Sequence, residues 1–85
     1  MIIKLNNVMS KVLLEEVEDA IALVKSQKTI DSDTIEFEIS DIKELLLLIN
    51  DEIVYRGLDD QETVNDLGKQ LYDLYDEILY QRHDN

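Results

Sequence analysis

The chain has 85 residues and no cysteine, so neither disulfide bonds nor thiolate-bound metal can reinforce its fold. Chains of this size bury only about 60 to 65 % of the surface that they expose when unfolded. A small domain without such support must depend on the packing of apolar side chains or on oligomerisation. The sequence therefore predicts a single domain over residues 1–85 with one small core.

Apolar residues make up 45 % of the chain, and Leu, Ile and Val are frequent, which separates it from disordered acidic tails. The first residues lack the apolar stretch and the cleavage site of a signal peptide. The longest uninterrupted apolar run, Leu45 to Ile49, is far shorter than the roughly 18 residues of a membrane span. We expect a folded cytoplasmic protein with no membrane contact.

A first amphipathic helix is predicted from Lys11 to Gln27, with Ser10 as its N-cap. Apolar residues recur there at spacings of three and four, which places them on one face. This predicted buried stripe consists of Leu13, Val17, Ala20, Ile21 and Val24.

The segment Thr34–Ile39 alternates apolar and polar residues, the period of a half-buried strand. Ile35, Phe37 and Ile39 are expected to point inward. Met1 to Leu5 is the other β-like stretch, so we expect these two segments to pair. Because two strands alone are marginally stable, they must lie on the helices or be completed by a second copy or a partner.

A second helix is predicted from a capping box at Asp41 and Glu44 to Arg56, with Gly57 in a left-handed C-terminal position. Its apolar residues occupy more than one side, since Leu47 and Val54 lie off the main stripe, so we expect a central helix. The main stripe consists of Ile42, Leu45, Leu46, Ile49 and Ile53.

A third helix is predicted to open at the cap-like residues 59–62, only two residues after the second helix. Its apolar residues Val64, Leu67, Leu71, Leu74 and Ile78 follow at spacings of three and four. The sequence thus predicts a mostly helical α+β fold with three helices, a C-terminal antiparallel helical hairpin and a small two-stranded or edge β element. The alternative is an all-α three-helix bundle.

The net charge is unevenly distributed along the chain. Residues 1–28 contain four acids and four lysines, whereas residues 29–85 contain sixteen acids against four basic residues and carry the entire net charge of −12. Such a field favours basic partners and repels nucleic acid and anionic membranes. We therefore expect a basic protein partner, of the nucleic-acid-binding kind, and no direct contact with nucleic acid.

Two groups of acids are candidates for partner binding. Glu36 and Glu38 alternate on the predicted strand, about 6.6 Å apart, and can imitate neighbouring phosphates; the alternative is an ordinary solvated strand face. The last helix carries the second group on the side away from its apolar stripe, with Tyr80 as an interface anchor. This second group consists of Asp66, Asp73, Asp76 and Glu77, of which the last three lie where the helix dipole disfavours anions.

Signs of catalysis are weak. His83 is the only histidine and there is no cysteine, so no metal-ligand set and no nucleophile with its base can be assembled. A calcium loop counted from Asp31 has Ile35, Glu36 and Ile42 where oxygen donors or glycine are required. We expect no enzyme activity, no cofactor and no metal.

In size, acidity and lack of catalytic residues the chain resembles the small inhibitors and DNA mimics of phages and mobile elements, anti-CRISPR proteins among them. The likeness is one of character and covers no motif. The leading hypothesis is a non-enzymatic acidic protein that blocks or regulates a basic, nucleic-acid-binding protein. The alternative is a structural protein that forms homo-oligomers, a homodimer for example, through the strand edge or through Leu47 and Val54. An antitoxin-like partner that orders on binding is disfavoured by the capped, periodic helices.

Overall fold

The computed structural model describes residues 1–58 and 65–83. Seven elements follow one another within these two ranges, and the mostly helical α+β architecture is confirmed. They are strand β1 (Ile2–Asn6), helix α1 (Asn7–Glu16), a 3₁₀ helix (Glu18–Leu23), strands β2 (Val24–Thr29) and β3 (Thr34–Ile39), and helices α2 (Ile42–Arg56) and α3 (Asp66–His83).

The three strands form one antiparallel sheet in the order β1-β3-β2. The predicted pairing of the first residues with Thr34–Ile39 is confirmed, with Ile3 opposite Phe37. Phe37 and Ile39 are buried, as the alternation predicts, and Ile35 is half-buried against the core. The sheet therefore has one face covered by helices and one open face.

The predicted helix from Lys11 to Gln27 is wrong in both its start and its length. Asn6 is the N-cap, because its side chain accepts a hydrogen bond from Met9 N at 2.8 Å. Ser10 is buried inside α1, where its hydroxyl donates to the carbonyl of Leu5 at 3.4 Å. The helix stops at Glu16 because Val17 leaves the helical region, with φ −119° and ψ 71°.

Strand β2 replaces the end of that predicted helix. Its six residues are exposed apart from the half-buried Val24, so the sequence carries no alternation that would predict a strand. The segment is a strand because it pairs with β3, with an irregularity of register between Val24 and Ser26. The sheet consequently has three strands, not the expected two.

The core lies between the sheet and the helices and forms one contiguous cluster. Of the predicted stripe of the first helix, Leu13, Val17 and Ala20 are buried, but Ile21 is exposed. The cluster consists of Ile3, Leu5, Val12, Leu13, Val17, Ala20, Phe37, Ile39, Leu45, Leu46, Ile49, Ile53, Leu71, Leu74 and Ile78.

Helix α2 begins as predicted, since the carboxylate of Asp41 accepts a hydrogen bond from Glu44 N at 3.1 Å. Its main stripe faces the core. However, Leu47 and Val54 are 58 % and 60 % exposed, so α2 is not buried on two sides. The expectation of a central helix is wrong for the single chain.

Gly57 ends α2 for a reason other than handedness. Its φ of −84° and ψ of −6° lie in the right-handed region, so the predicted left-handed stop is wrong. A Cβ at this position would lie 2.9 Å from Gly68 Cα and 2.7 Å from the carbonyl oxygen of Ile53. Glycine is therefore required by the close approach of α2 and α3.

Asn65 joins the two helices at the same place. Its side-chain oxygen accepts from Gly68 N at 2.8 Å, and its side-chain nitrogen donates to the carbonyl of Arg56, also at 2.8 Å. One side chain thus caps the start of α3 and the end of α2. The predicted connection of two residues is wrong because α3 begins only at Asp66. The cap-like residues 59–62 and Val64 lie outside the described residues.

The outer edge of β1 is occupied by a side chain of α3. Gln81 accepts from Lys4 N at 2.8 Å and donates to the carbonyl of Lys4 at 2.6 Å. The primary amide therefore satisfies one backbone N–H and one C=O that would otherwise pair with a further strand.

Replacing Gly57 tests the close approach of the two helices. We expect Gly57→Ala to lower the free energy of unfolding by about 1–3 kcal/mol, because the added methyl group has no space beside Gly68. Urea denaturation measures the change. The exposed Asn50→Ala on the same helix is the control and should stay within about 0.5 kcal/mol of the parent. An equally small effect at Gly57 would contradict the packing described here.

Candidate partner-binding surfaces

The exposed side of α3 combines carboxylates with aromatic rings. Asp73, Asp76 and Tyr80 follow one another at spacings of three and four, so they share one face of the helix. Tyr72 lies four residues before Asp76 on the same side. Tyr72 is 42 % exposed and Tyr80 is 64 % exposed. We call the exposed set the α3 face: Asp66, Lys69, Tyr72, Asp73, Asp76 and Tyr80.

The α3 face is held rigidly from behind. Leu71, Leu74 and Ile78, on the opposite side of the helix, are fully buried in the core. Among the described side chains of residues 1–58 and 65–82, neither Asp73 nor Asp76 makes an ion pair. Both carboxylates are exposed on a helix whose position is set by the core.

Glu77 lies one turn after Asp73, but its carboxylate is bound within the fold. It is half-buried, and its carboxylate accepts a hydrogen bond from Gln81 at 3.0 Å. Because Gln81 in turn binds the backbone of Lys4, Glu77 helps to hold the side chain that covers the edge of β1. The structure thus gives this predicted site residue a contact within the fold that Asp73 and Asp76 lack.

Glu36 and Glu38 lie on the open face of the sheet among cations. The register places Glu36 opposite Lys4 on one side and Lys28 on the other. Glu38 lies opposite Ser26, whose hydroxyl is 3.4 Å from its carboxylate. Two lysines therefore balance the two glutamates on this face, an arrangement that favours an ordinary solvated strand face over a phosphate-like row.

A second acidic region was not anticipated from the sequence. It lies around Arg56, at the end of α2. The guanidinium of Arg56 contacts the carboxylate of Glu52 at 2.6 Å and that of Glu16 at 3.3 Å. Arg56 also donates to the carbonyl of Glu16, at the end of α1. We call this region the Arg56 cluster: Glu15, Glu16, Glu18, Asp19, Glu52 and Arg56.

The electrostatics of the Arg56 cluster follow from its composition. The hydrogen bond to Glu52, together with the charges of Glu52 and Glu16, raises the pKa of Arg56 above its ordinary value, although partial burial opposes the shift. Five carboxylates line the same hollow as this one guanidinium, and two of them contact it, so the cluster carries a net negative charge. The run of acids at positions 15–19 was the sequence signal that could have predicted this cluster. The sum of charges over residues 1–28 is zero and hid the run, although three of the four lysines in that sum lie on the strands of the sheet.

Within the described ranges, no group of three or more His, Cys, Asp or Glu side chains is arranged to hold a metal ion. Among the helices of those ranges, none has the length and apolar character needed to cross a membrane.

Replacing Arg56 tests how the acidic cluster is held. We expect Arg56→Gln to lower the free energy of unfolding by about 1 kcal/mol at low ionic strength, because Glu16 and Glu52 lose their cation. In about 1 M NaCl the loss should shrink, since salt screens the remaining repulsion. Arg56→Lys keeps the charge without the planar fork and should recover the salt-dependent part only. Equal losses for both variants at all salt concentrations would contradict the electrostatic role.

Comparisons with protein-family models, with curated proteins and with solved structures find no match for this chain.

Proposed function

We propose that this chain is a non-enzymatic binding protein whose α3 face contacts a basic, nucleic-acid-binding protein and blocks it. The observation that carries the proposal is the juxtaposition of Tyr72 and Tyr80 with Asp73 and Asp76 on a helix fixed in the core. The blocked site on the partner is one that otherwise receives phosphate groups.

The position of the carboxylates supports contact with a cation. Asp73 lies near the middle of α3 and Asp76 just beyond it, so neither is in the first turn, where the helix dipole stabilises acids. No ion pair with either carboxylate is found among the described side chains. Exposed charges that no local contact explains are candidates for contact with a partner.

The tyrosine rings supply apolar contact area, which the carboxylates do not. Exposed carboxylates mainly accelerate encounter and orient the partner, and salt weakens their effect. Lasting affinity needs apolar area, which tyrosine provides with little loss of conformational entropy. Tyr80 lies one turn beyond Asp76, so a single basic side chain can contact the carboxylate and the ring together.

The charge of the whole molecule acts in the same direction. The net charge of −12 attracts a basic partner from a distance, and the Arg56 cluster adds to this field. Nucleic acid is also negatively charged, so this protein and nucleic acid would compete for the same basic surface of the partner.

A direct test combines capture with competition. The tagged chain is used to capture proteins from a lysate at about 50 mM and about 500 mM salt, and each captured protein is purified. We expect the true partner to bind more weakly at high salt and to lose nucleic-acid binding as the chain is added. A partner whose affinity is independent of salt, or which binds the chain and nucleic acid at once, would overturn the proposal.

Variants assign the contact to the α3 face. Asp73→Asn with Asp76→Asn, and separately Tyr80→Ala, should each weaken binding to that partner about tenfold, the equivalent of about 1.4 kcal/mol. The matched control is Glu44→Gln with Asp51→Asn, which removes two exposed carboxylates from α2 and should leave affinity unchanged. Equal weakening by the control would show that net charge acts and not this face.

Self-association is the second candidate because Leu47 and Val54 are exposed on one side of α2. Exposed apolar side chains in a row favour contact with another apolar surface. The acidic Glu44 and Asp51 lie on the same side of α2 in each copy and oppose this contact. A stable dimer in sedimentation experiments that persists in the α3 face variants would favour self-association as the main role.

A further inference from the structure

The two edges of the sheet differ. In an antiparallel sheet, alternate residues direct both backbone groups towards the same neighbouring strand. Ile39 N donates to Met1 O at 2.8 Å, so odd residues of β1 face β3 and Lys4 faces outward, where Gln81 binds it. The β1 edge is therefore closed at its centre.

The same alternation identifies the free groups of β2. Ile30 N donates to Thr34 O at 2.9 Å, so Lys28 and Ser26 also direct their backbone groups towards β3. Gln27 and Thr29 then direct their N–H and C=O groups away from the sheet. Within residues 1–58 and 65–83, no element pairs with this side of β2.

We propose that the outer edge of β2 binds an extended acidic segment of a partner protein by strand addition. The backbone groups of Gln27 and Thr29, about 6.6 Å apart, supply the hydrogen bonds. The charge of the strand selects the occupant. The six residues of β2 include Lys25 and Lys28 and no acid, in a chain whose net charge is −12.

The register shows where the acid would lie. Across the open face, Lys4, Glu36 and Lys28 stand side by side on consecutive strands and alternate in sign. An acid opposite Lys28 on an added strand continues that alternation, and opposite charges in cross-strand pairs are stabilising. Side chains of the added strand on the other face would lie beside Gln27 and Thr29, which the helices leave exposed.

Charge also discriminates against the other occupants. Two β2 edges brought together would gather four lysines in one interface, so a second copy is disfavoured. Lysines on edge strands commonly deter unwanted pairing. Here the positive charge of the two lysines repels basic strands and a second β2 edge, but it attracts an acidic strand. The surface is separate from the α3 face, and the inference does not depend on the function proposed above.

The test uses a fluorescein-labelled hexapeptide in which glutamate alternates with valine. We expect saturable binding that weakens at least tenfold between about 50 mM and about 500 mM salt. A peptide with lysine in place of glutamate, and an acidic peptide N-methylated at every residue, should not bind. Binding of the fully N-methylated peptide would overturn the proposal, because strand addition requires the peptide N–H groups.

Hydrogen exchange locates the contact on the chain. In the free protein the amides of Gln27 and Thr29 should exchange quickly, and those of Lys28 and Ile30 slowly. The acidic peptide should slow exchange at Gln27 and Thr29 in particular. Protection of these two amides without peptide, in a chain that sediments as a dimer, would show that a second copy occupies the edge and would overturn the acidic occupant.

Variants separate position from net charge. Lys25→Gln with Lys28→Gln should weaken peptide binding at least tenfold. Lys11→Gln with Lys43→Gln removes the same charge from α1 and α2 and should leave binding unchanged. Asp73→Asn with Asp76→Asn should also leave it unchanged, which distinguishes failure at this edge from failure of the α3 face. Equal loss in the two lysine pairs would contradict a site on β2.

Discussion

Strand β3 is the element on which the rest of the structure depends, because both other strands hydrogen-bond to it and its inward side chains meet the helices. Phe37 lies at the centre, with Ile3 opposite it on β1 and Gln27 opposite it on β2. A two-stranded hairpin is marginal in water, whereas a sheet covered by helices buries enough apolar surface to persist. The single small core thus depends on β3 and its contacts.

The elements that could be predicted are those whose signals are local. The alternation of Thr34–Ile39 and the cap at Asp41 act within a few residues, and both are found as expected. The last carbonyl of α1 is bound by Arg56, forty positions away, a contact that no local pattern at Glu16 predicts. Strand β2 is exposed along nearly its whole length, so its sequence has no alternation of buried and exposed residues that would predict a strand. Such elements are determined by contacts between distant parts of the chain, which local patterns do not contain.

The same distinction applies to the candidate site. Helical spacing alone placed Asp73, Asp76 and Tyr80 on one face, and the structure has them there. It also grouped Glu77 with them, but the carboxylate turns to Gln81, whose position depends on β1. Summing charge along the sequence likewise missed the Arg56 cluster, since three of the four lysines of residues 1–28 lie on strands, whereas the acids at positions 15–19 lie at the end of α1 and in the 3₁₀ helix. Three-dimensional sorting of charge gives the molecule acidic helices and a sheet whose outer strand is basic.

The amide of Gln81 has a consequence for how large an assembly can become. Two open borders would let sheet join sheet without limit, the route by which β-rich proteins polymerise into fibres. With the β1 border blocked at Lys4, copies of the chain cannot join β1 border to β2 border, which is the contact that an open-ended array of copies would repeat. Strands can therefore add on the β2 side alone, and the sheet extends in one direction instead of two.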